Sequence, residues 1–526
     1  MIFAVARSHV PASSPRPRPS ARLSRRVSGR ARKELVRAVP LSLMLLLTSF
    51  AAAWPAAAQP QTPPPPTAAT PATSSSQSGS SGTRGGSGST LSPYLRGVPT
   101  GTATAETLSL TIVDAVQRAL EHNLGTLLAE QRVSEAGGAR WRALSDLLPD
   151  VRGRLSATRE KVNLAAFGFP LPAGIPSLVG PFNVYDARVF AAQSIFDLHA
   201  INSARAETHN VAAARFDYKN ARDIVVLVSA NSYAQALAAF ALVDAARAQL
   251  QTAQALHQQA VDLKQGGLVA GIDVLRAEVQ VDTARQRVTA TQADFDKSKL
   301  QLARIIGLPL GQSFTLADQM RMVAFPDITL EAALDRAYQS RSDYQAALAR
   351  IEAAEANRRA ITGEALPSVR VTADYGEIGL SPASAHGSFN VTGALNVPIF
   401  QGGRTRGRLI EADAELRTRR TEADDLKAGI YYDVRTAFLD LQAGQEQLRV
   451  ATRARELAGA QLEQSRDRFA AGVAGSIEVV QAQEAVALAS DQYISAMFTS
   501  NLATGNLVRA LGIAEDAARQ LLGGRR

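Results

Sequence analysis

The chain repeats itself at a spacing of about 205 residues. Residues 267–274 (GLVAGIDV) match 472–479 (GVAGSIEV), and LARIIGL at 302 matches LVRALGI at 507. The Leu-Pro pairs at 148 and 366 are 218 residues apart, so the first copy contains about 14 additional residues between its Leu-Pro pair and Phe196. A duplication on this scale predicts two similar halves instead of unrelated domains.

Each copy has the pattern of a helix, a Leu-Pro break, two strands, a very long helix, a glycine-rich break and a second long helix. In the first copy we expect one helix over roughly 111–147, because Pro149 lacks an N–H and forces Leu148 out of helical geometry. The alternation that follows predicts strands at about 150–163 and 183–196, and the second copy predicts strands at about 368–378 and 388–399.

The four predicted strands each carry one apolar and one polar side. In the second copy Val369 and Val371 alternate with Arg370 and Thr372, and residues 388–397 alternate in the same way. Strands of soluble sheets alternate too. Here, however, the two pairs lie about 200 residues apart, and no further strands are predicted that could cover their apolar sides. Lipid is then the expected cover, as in an outer-membrane barrel. Four strands cannot close a barrel of at least ~8, so several chains must contribute strands.

The segments after Phe196 and Phe400 are free of proline to about residues 264 and 469. A helix of ~65 residues is about 100 Å long. The returning helices show heptads, which indicate a continuous seam between antiparallel helices. The residues of these heptad rows are Val274, Val281, Val288, Phe295 and Leu302, with Ala277 and Ala284 three places on, and Val479, Val486, Tyr493, Ser500 and Leu507, with Ala482, Ala489, Ala496, Ala503 and Ala510. On the outgoing helix, Arg455 interrupts the row that includes Val434 and Leu448.

The glycine-rich breaks are predicted to be the reversals, or tips, of two helical hairpins. Gly267 and Gly472 can adopt the left-handed conformation that ends a helix, and Gly271 and Gly475 complete the turns. Asp273 and Glu478 then fall in the first turn of the returning helices. Carboxylates stabilise the positive end of a helix, so a purely structural role would explain both acids.

The first 107 residues are predicted to stand apart from this repeat. The apolar stretch 41–53 follows a basic segment and precedes small residues at 56 and 58, so residues 1–58 read as a signal peptide with a long basic leader. They hold ten of the 57 basic and one of the 48 acidic residues, which leaves 47 of each in the remainder. A basic surface for nucleic acid is therefore not expected. The Pro-, Ser- and Gly-rich segment 59–107 is expected to be disordered.

These features together resemble the TolC-type outer-membrane efflux protein family, over residues 108 to 515. The resemblance lies in LVAGIDV after Gly267, IFDL at 195, VPIFQGG at 397 and IIGLPLG at 305, all in family order. It implies a mainly α-helical fold with a small β part: coiled-coil hairpins in duplicate and four transmembrane strands per chain, in a homotrimer with a twelve-strand barrel and a periplasmic helical tunnel.

The resemblance also divides the chain. It implies a first repeat at 108–308 with its hairpin at 198–306, an equatorial connector at 309–328, a second repeat at 329–513 with its hairpin at 402–511, and a tail at 514–526. The implied function is an exit channel of a tripartite efflux or type I secretion system in the outer membrane of a Gram-negative-type bacterium. The implied partners are outer-membrane lipid, a periplasmic adaptor (membrane fusion) protein and an inner-membrane transporter.

A gate at the periplasmic tips is implied by the same family. Asp273 and Glu478 occupy positions of the family's entrance acids, and we expect them to form a ring that attracts cations. Phe469 replaces the family's aromatic partner and has no hydroxyl, while Ala474 stands where a locking Arg can occur, so a different lock is expected. Arg276 and Gln481 are assigned to the same gate. Replacing both acids with alanine is expected to raise conductance or to lower the preference for cations.

Five residues at the tips are candidates for contact with the adaptor: Leu268, Val269, Val473, Ser476 and Arg468. The first four could equally be ordinary turn residues, and Arg468 could be solvated surface. The sequence offers no catalytic, cofactor or metal motif, and the chain has no cysteine. An enzyme is therefore not expected. The alternative function is a periplasmic coiled-coil adaptor or structural protein, which would share the hairpins but would not need amphipathic strands.

Overall fold

The computed structural model describes residues 93–168, 176–322 and 328–523, all within one compact unit, residues 85–526. The helices are α1 (Ile112–His122), α2 (Leu124–Ser145), α3 (Leu198–Gln265), α4 (Gly271–Ile305), α5 (Leu330–Ser340), α6 (Ser342–Gly363), α7 (Arg404–Ala470), α8 (Ser476–Ala510) and α9 (Ala514–Gly523). The strands are β1 (Leu108–Leu110), β2 (Asp150–Asn163), β3 (Leu178–Phe196), β4 (Phe314–Leu316), β5 (Ser368–Gly379) and β6 (His386–Asn396). The predicted signal peptide lies outside the described residues.

The same six elements follow one another twice. The first copy runs α1, α2, β2, β3, α3, α4, and the second runs α5, α6, β5, β6, α7, α8. The prediction of a mainly helical chain with a small β part is confirmed. The parallel pair of β1 with β4 lies outside this repeat and joins the segment before the first copy to the connector between the copies.

The first helix of each copy is broken, so the prediction of one helix over 111–147 was wrong. Asn123 adopts an extended conformation, and its amide oxygen accepts the N–H of Gly125 at 2.9 Å. Its amide nitrogen donates to the carbonyl oxygens of Tyr94 (2.8 Å) and Ile305 (3.2 Å). The second copy breaks at Arg341, which is 218 residues further on. Side chains that bond backbone groups outside the helix compete with helical continuation, which explains the break at Asn123.

The last part of the segment predicted to be disordered, residues 93–107, is ordered. Its backbone makes hydrogen bonds to the C-terminal ends of α4 and α1. The N–H of Gly97 donates to the carbonyl oxygen of Arg304 at 2.6 Å, and the N–H of Val98 donates to that of His122 at 2.8 Å. The ring of Tyr94 lies against Gly125, where a Cβ atom would meet it at 2.2 Å. Exposed helix ends need such partners, and composition alone does not reveal them. Residues 59–92 lie outside the described residues.

The four long strands form one antiparallel sheet in the order β2-β3-β5-β6. Their register places the four apolar sides on one face, as the row Val151, Ala191, Ala373 and Val391 shows. The large side chains of this face are exposed, including Leu155 (86%) and Phe389 (77%). On the other face Arg188 pairs with Asp186 and Asp374. The outer edges of β2 and β6 pair with no strand among the described residues.

Two strand boundaries differ from the predicted ones. The strand predicted at 183–196 begins at Leu178, inside the insertion of the first copy, whose residues 169–175 lie outside the described residues. The strand predicted at 388–399 spans His386–Asn396. It stops before Pro398, which has no N–H to donate to a neighbouring strand.

The helices α3 and α7 contain 68 and 67 residues, which corresponds to about 100 Å each. In the hairpins the lateral order is α4, α3, α8, α7, and beside the sheet it is α2, α3, α6, α7. Among the described residues α3 is the one helix long and apolar enough to cross a membrane. Because it packs against helices on both sides, much of that apolar surface is used within the protein.

The predicted heptad rows contribute to the buried side of each hairpin. Val281, Ala284 and Leu302 on α4 are buried, as are all five alanines of the row on α8. Arg455 does not break the contact between α7 and α8, because its guanidinium lies 4.7 Å from the ring centre of Tyr493. A cation over an aromatic face is attractive, so the arginine is accommodated at the edge of the seam.

Candidate functional site at the hairpin tips

The two tips reverse the chain by the same backbone device. Gly267 has φ +76° and Gly472 has φ +71°. Beyond each glycine an N–H returns to the last helical turn, from Leu268 to the carbonyl oxygen of Leu263 (2.9 Å) in the first tip and from Val473 to that of Arg468 (3.0 Å) in the second. These bonds satisfy carbonyls that a helix end leaves free. Gly271 and Gly475 lie at the starts of α4 and α8 without a left-handed conformation.

One side-chain hydrogen bond ties the two tips together. The hydroxyl of Ser476, the first residue of α8, donates to Oδ1 of Asp273 on α4 at 2.5 Å. The side chain of Asp273 is 20% exposed, and Arg276 lies 3.3 Å from the same oxygen. A hydrogen bond to a charged acceptor is stronger than one between neutral groups. We call this contact the tip tie.

The aromatic side chain expected at the gate is buried beside the tie. Phe469 is 6% exposed, and together with Asp273, Ser476 and Gln483 it lines a cavity of about 20 Å³. Because Phe469 has no hydroxyl, it cannot donate to Asp273, and Ser476 makes that bond instead. The position of Ser476 corresponds to Gly271 in the first copy. The two copies therefore differ at this position, with glycine in the first and serine in the second, and this difference was the sequence signal for the role of Ser476.

The second acid of the expected ring is also paired. Nε of Arg468, in the last turn of α7, lies 3.3 Å from Oε1 of Glu478. Both side chains are about half exposed, so the attraction between them is weakened by water. Gln481 lies on the exposed surface one turn further on, and Ala474 lies in the turn itself. Within one chain each acid therefore has an arginine beside it, which lowers the unbalanced negative charge at the tips.

The apolar residues of the tips are accessible. Leu268 is 75% and Val473 is 68% exposed, and Val269 is partly buried. The sequence analysis missed their neighbours Ile272, Leu275, Val279 and Ile477, which are at least half exposed and line a groove of about 380 Å³ between α4 and α8. Apolar residues at 272, 275 and 279 are spaced as on one side of a helix but do not belong to the heptad row, and this spacing could have revealed the groove from the sequence.

No group of three or more His, Asp or Glu side chains could hold a metal ion within the described ranges.

Comparisons with known proteins agree on one family. A family model described as "Outer membrane efflux protein" matches residues 115–308 and 333–512. The pyoverdine export outer membrane protein OpmQ of Pseudomonas putida is 24% identical over 407 residues, which cover 76% of this chain and 84% of that protein.

Solved structures show the same fold. The outer membrane protein VceC from Vibrio cholerae aligns with a TM-score of 0.65 and 20% identity, over 76% of this chain and 96% of VceC. The CmeC outer membrane channel from Campylobacter jejuni aligns with a TM-score of 0.66 and 16% identity, over 78% of this chain and 88% of CmeC.

Proposed function

Because this chain belongs to the outer membrane efflux protein family, we propose that three copies form a passive exit duct through the outer membrane and across the periplasm. The four strands of each copy would contribute to one barrel of twelve strands, and the hairpins would form a tunnel below it. An inner-membrane transporter of a tripartite efflux or type I secretion system would select the cargo and supply the energy, and a periplasmic adaptor would connect it to the tips.

The main support for this proposal is the exposed apolar face and, within the described part of the chain, the unpaired edges of the four-stranded sheet. Its exposed apolar face spans all four strands, and both of its edges lack a partner among the described residues. Lipid accepts an apolar face, but it does not tolerate unpaired backbone groups at a sheet edge. Pairing β6 of one copy with β2 of the next removes both edges. The sequence of β6 (HGSFNVTGALN) contains no Asp, Glu, Lys or Arg, so it adds no charge at that junction.

The helices support the same arrangement. The α7 helix lies at one lateral end of the hairpins, and α2 and α4 lie at the other. Both ends expose large apolar side chains: Ile410, Tyr432, Leu439, Val450 and Leu457 on α7, and Leu128, Trp141 and Leu300 on α2 and α4. Exposed apolar surface of this extent is typical of protein contacts. We infer that α7 of one copy packs against α2 and α4 of its neighbour.

We further propose that the tips form the gate and that the tip tie holds it closed. Opening a tunnel of packed hairpins requires the tips to move apart, and the tie between Ser476 and Asp273 opposes that movement. In this proposal Asp273 acts mainly as the acceptor of the tie. Because Arg276 and Arg468 lie beside the two acids, we expect a weaker attraction for cations than bare carboxylates would produce.

A charge on the apolar face of the sheet tests the channel proposal. We expect Val391→Arg to prevent stable insertion, because an arginine facing lipid near the bilayer centre costs about 2–4 kcal/mol in each chain. The matched control is Asn390→Arg, whose side chain lies on the opposite face beside Asp374. The measurement is the yield of heat-modifiable trimers in the outer-membrane fraction.

We expect wild type and Asn390→Arg to give trimers and Val391→Arg to give few or none. A wild-type protein recovered as a soluble periplasmic monomer would contradict the channel and support the alternative of a periplasmic adaptor or structural protein. Equal trimer yields for the two arginine variants would contradict the lipid-facing assignment.

The exposed tip residues are proposed as the adaptor surface. A cysteine at Leu268 or Val473 would be the only cysteine of the chain, and we expect each to crosslink to the adaptor through a short bifunctional reagent. The control is a cysteine at Leu310, which is 84% exposed and lies beyond the far end of α4, away from the tips. Crosslinking from Leu310 but not from the tips would contradict the assignment.

A further inference from the structure

A cavity of about 570 Å³ lies between α3 and α8, where the two hairpins of one chain face each other. It exists because the facing side chains are small: Ala241, Ala245 and Ala248 on α3 and Ala487 and Ser490 on α8. Because these small residues recur over about two turns of α3, they leave a gap that the neighbouring side chains do not fill. Its volume is within the range of sites that bind drug-sized molecules.

Two polar atoms on the wall of this cavity have no hydrogen-bond partner among the described residues. They are Nε2 of Gln483 and Oδ1 of Asp491. Gln483 is 6% exposed, so its amide is almost completely withdrawn from bulk water. A buried donor or acceptor without a partner is costly, which makes both atoms strong points of attachment for a bound molecule. They are eight residues apart on α8, which corresponds to about 12 Å along the helix.

The charges around the cavity are balanced. Its wall carries Asp244, Arg287, Arg455 and Asp491. Arg287 pairs with Asp491, and Arg455 lies over the ring of Tyr493. A molecule with a net charge therefore gains no long-range attraction here. The rest of the wall includes the aliphatic side chains of Leu462, Ile494 and Met497, which favour an apolar body.

We propose that this inter-hairpin cavity binds an elongated, uncharged amphiphile. The molecule has a carbonyl-type acceptor at one end for the amide of Gln483, and a hydroxyl or N–H donor about 10 Å away for Oδ1 of Asp491. An aliphatic chain between the two ends fills the space beside the alanines of α3. The gate proposal is not needed for this site, because binding depends on contacts within one chain.

The probe for this site is 8-hydroxyoctanamide, which carries an amide and a hydroxyl at the ends of a chain of matching length. Binding is measured by saturation-transfer NMR on the full-length protein in lipid nanodiscs. We expect saturable binding. Nonanamide, in which a methyl group replaces the hydroxyl, should bind about tenfold more weakly, because one hydrogen bond to a charged acceptor is lost.

The decisive variant is Gln483→Leu. Because the amide nitrogen of Gln483 has no partner in the described structure, leucine removes no hydrogen bond made by that atom, and we expect the variant to assemble normally. Its affinity for 8-hydroxyoctanamide should fall about tenfold. Gln492→Leu, the same substitution at an exposed position on the same helix, should leave the affinity unchanged. Absence of saturable binding to wild type, or equal affinities of the two leucine variants, would overturn the proposal.

Discussion

Replacing Ser476 with alanine should open the entrance of the channel. In planar bilayers we expect the Ser476→Ala protein to show a several-fold higher conductance than wild type, because alanine removes the donor of the tip tie. A hydrogen bond to a charged group contributes about 1.5–3 kcal/mol. A loss of that size in each chain shifts the balance between closed and open tips by roughly tenfold or more.

Two variants separate the tie from the charge of Asp273. Asp273→Asn keeps an oxygen that can accept from Ser476 but removes the negative charge, which weakens the hydrogen bond. Its conductance should therefore lie between those of wild type and Ser476→Ala, with a changed ion preference. Asp273→Ala removes both the oxygen and the charge, and should conduct like Ser476→Ala. Ser495→Ala, at an exposed position on α8, is the matched control. Wild-type conductance for Ser476→Ala would contradict the role of the tie, whereas a conductance for Asp273→Asn above that of Ser476→Ala would assign the gate to charge.

Replacing Arg341 with methionine should destabilise the protein more than any tip variant. Arg341 is 5% exposed at the break between α5 and α6. Its guanidinium donates to both oxygens of Asp343, at 3.1 and 2.6 Å, and to Asp433 at 2.8 Å. Methionine leaves the carboxylate of Asp343, whose side chain is only 18% exposed, without this partner. We expect a loss of about 3 kcal/mol in each chain, at the lower end for a buried ion pair because Asp433 remains in water.

The temperature at which the purified protein unfolds measures this loss. Arg336→Met, at an exposed position one turn earlier on α5, should match wild type, and Arg341→Lys should be intermediate because an ammonium lacks the planar fork that bonds both oxygens. An unchanged unfolding temperature for Arg341→Met would show that the ion pairs contribute no net stability.

The cost of Arg341→Met should also depend on pH. Burial acts to raise the pKa of Asp343, but the hydrogen bonds and charge of Arg341 outweigh it and hold the pKa below its ordinary value. A carboxyl whose pKa is lower in the folded state contributes its full stability above ~pH 4 and loses it as the pH falls through the lowered pKa. The difference in unfolding temperature between wild type and Arg341→Met should therefore be largest near pH 7 and shrink towards pH 3.

The periodicity of the sequence was sufficient to predict the order of the long helices and strands and which of their sides are apolar. Alternation of period two along β2, β3, β5 and β6 placed one apolar face on each strand, and the heptads of α4 and α8 marked the buried side of each hairpin. The left-handed glycines Gly267 and Gly472 marked the reversals. These patterns are readable because strand and helix geometry depends only on neighbours along the chain.

The errors arose where distant segments meet. The break at Asn123 depends on carbonyl oxygens of Tyr94 and Ile305, and the latter is 182 residues away along the chain. The ordered segment 93–107 depends on the ends of helices from two parts of the chain. Nothing in the local sequence of either segment indicates these partners.

The duplication and the periodicity of the sequence determined the fold class, the number of long strands and the positions of the two tips, because these follow from residue spacing. The tertiary structure alone decided that Ser476 meets Asp273 and that small residues on α3 and α8 face each other across a cavity. Both depend on how the two hairpins lie side by side, and a hydrogen bond between residues about 200 positions apart requires atomic positions that no local pattern encodes.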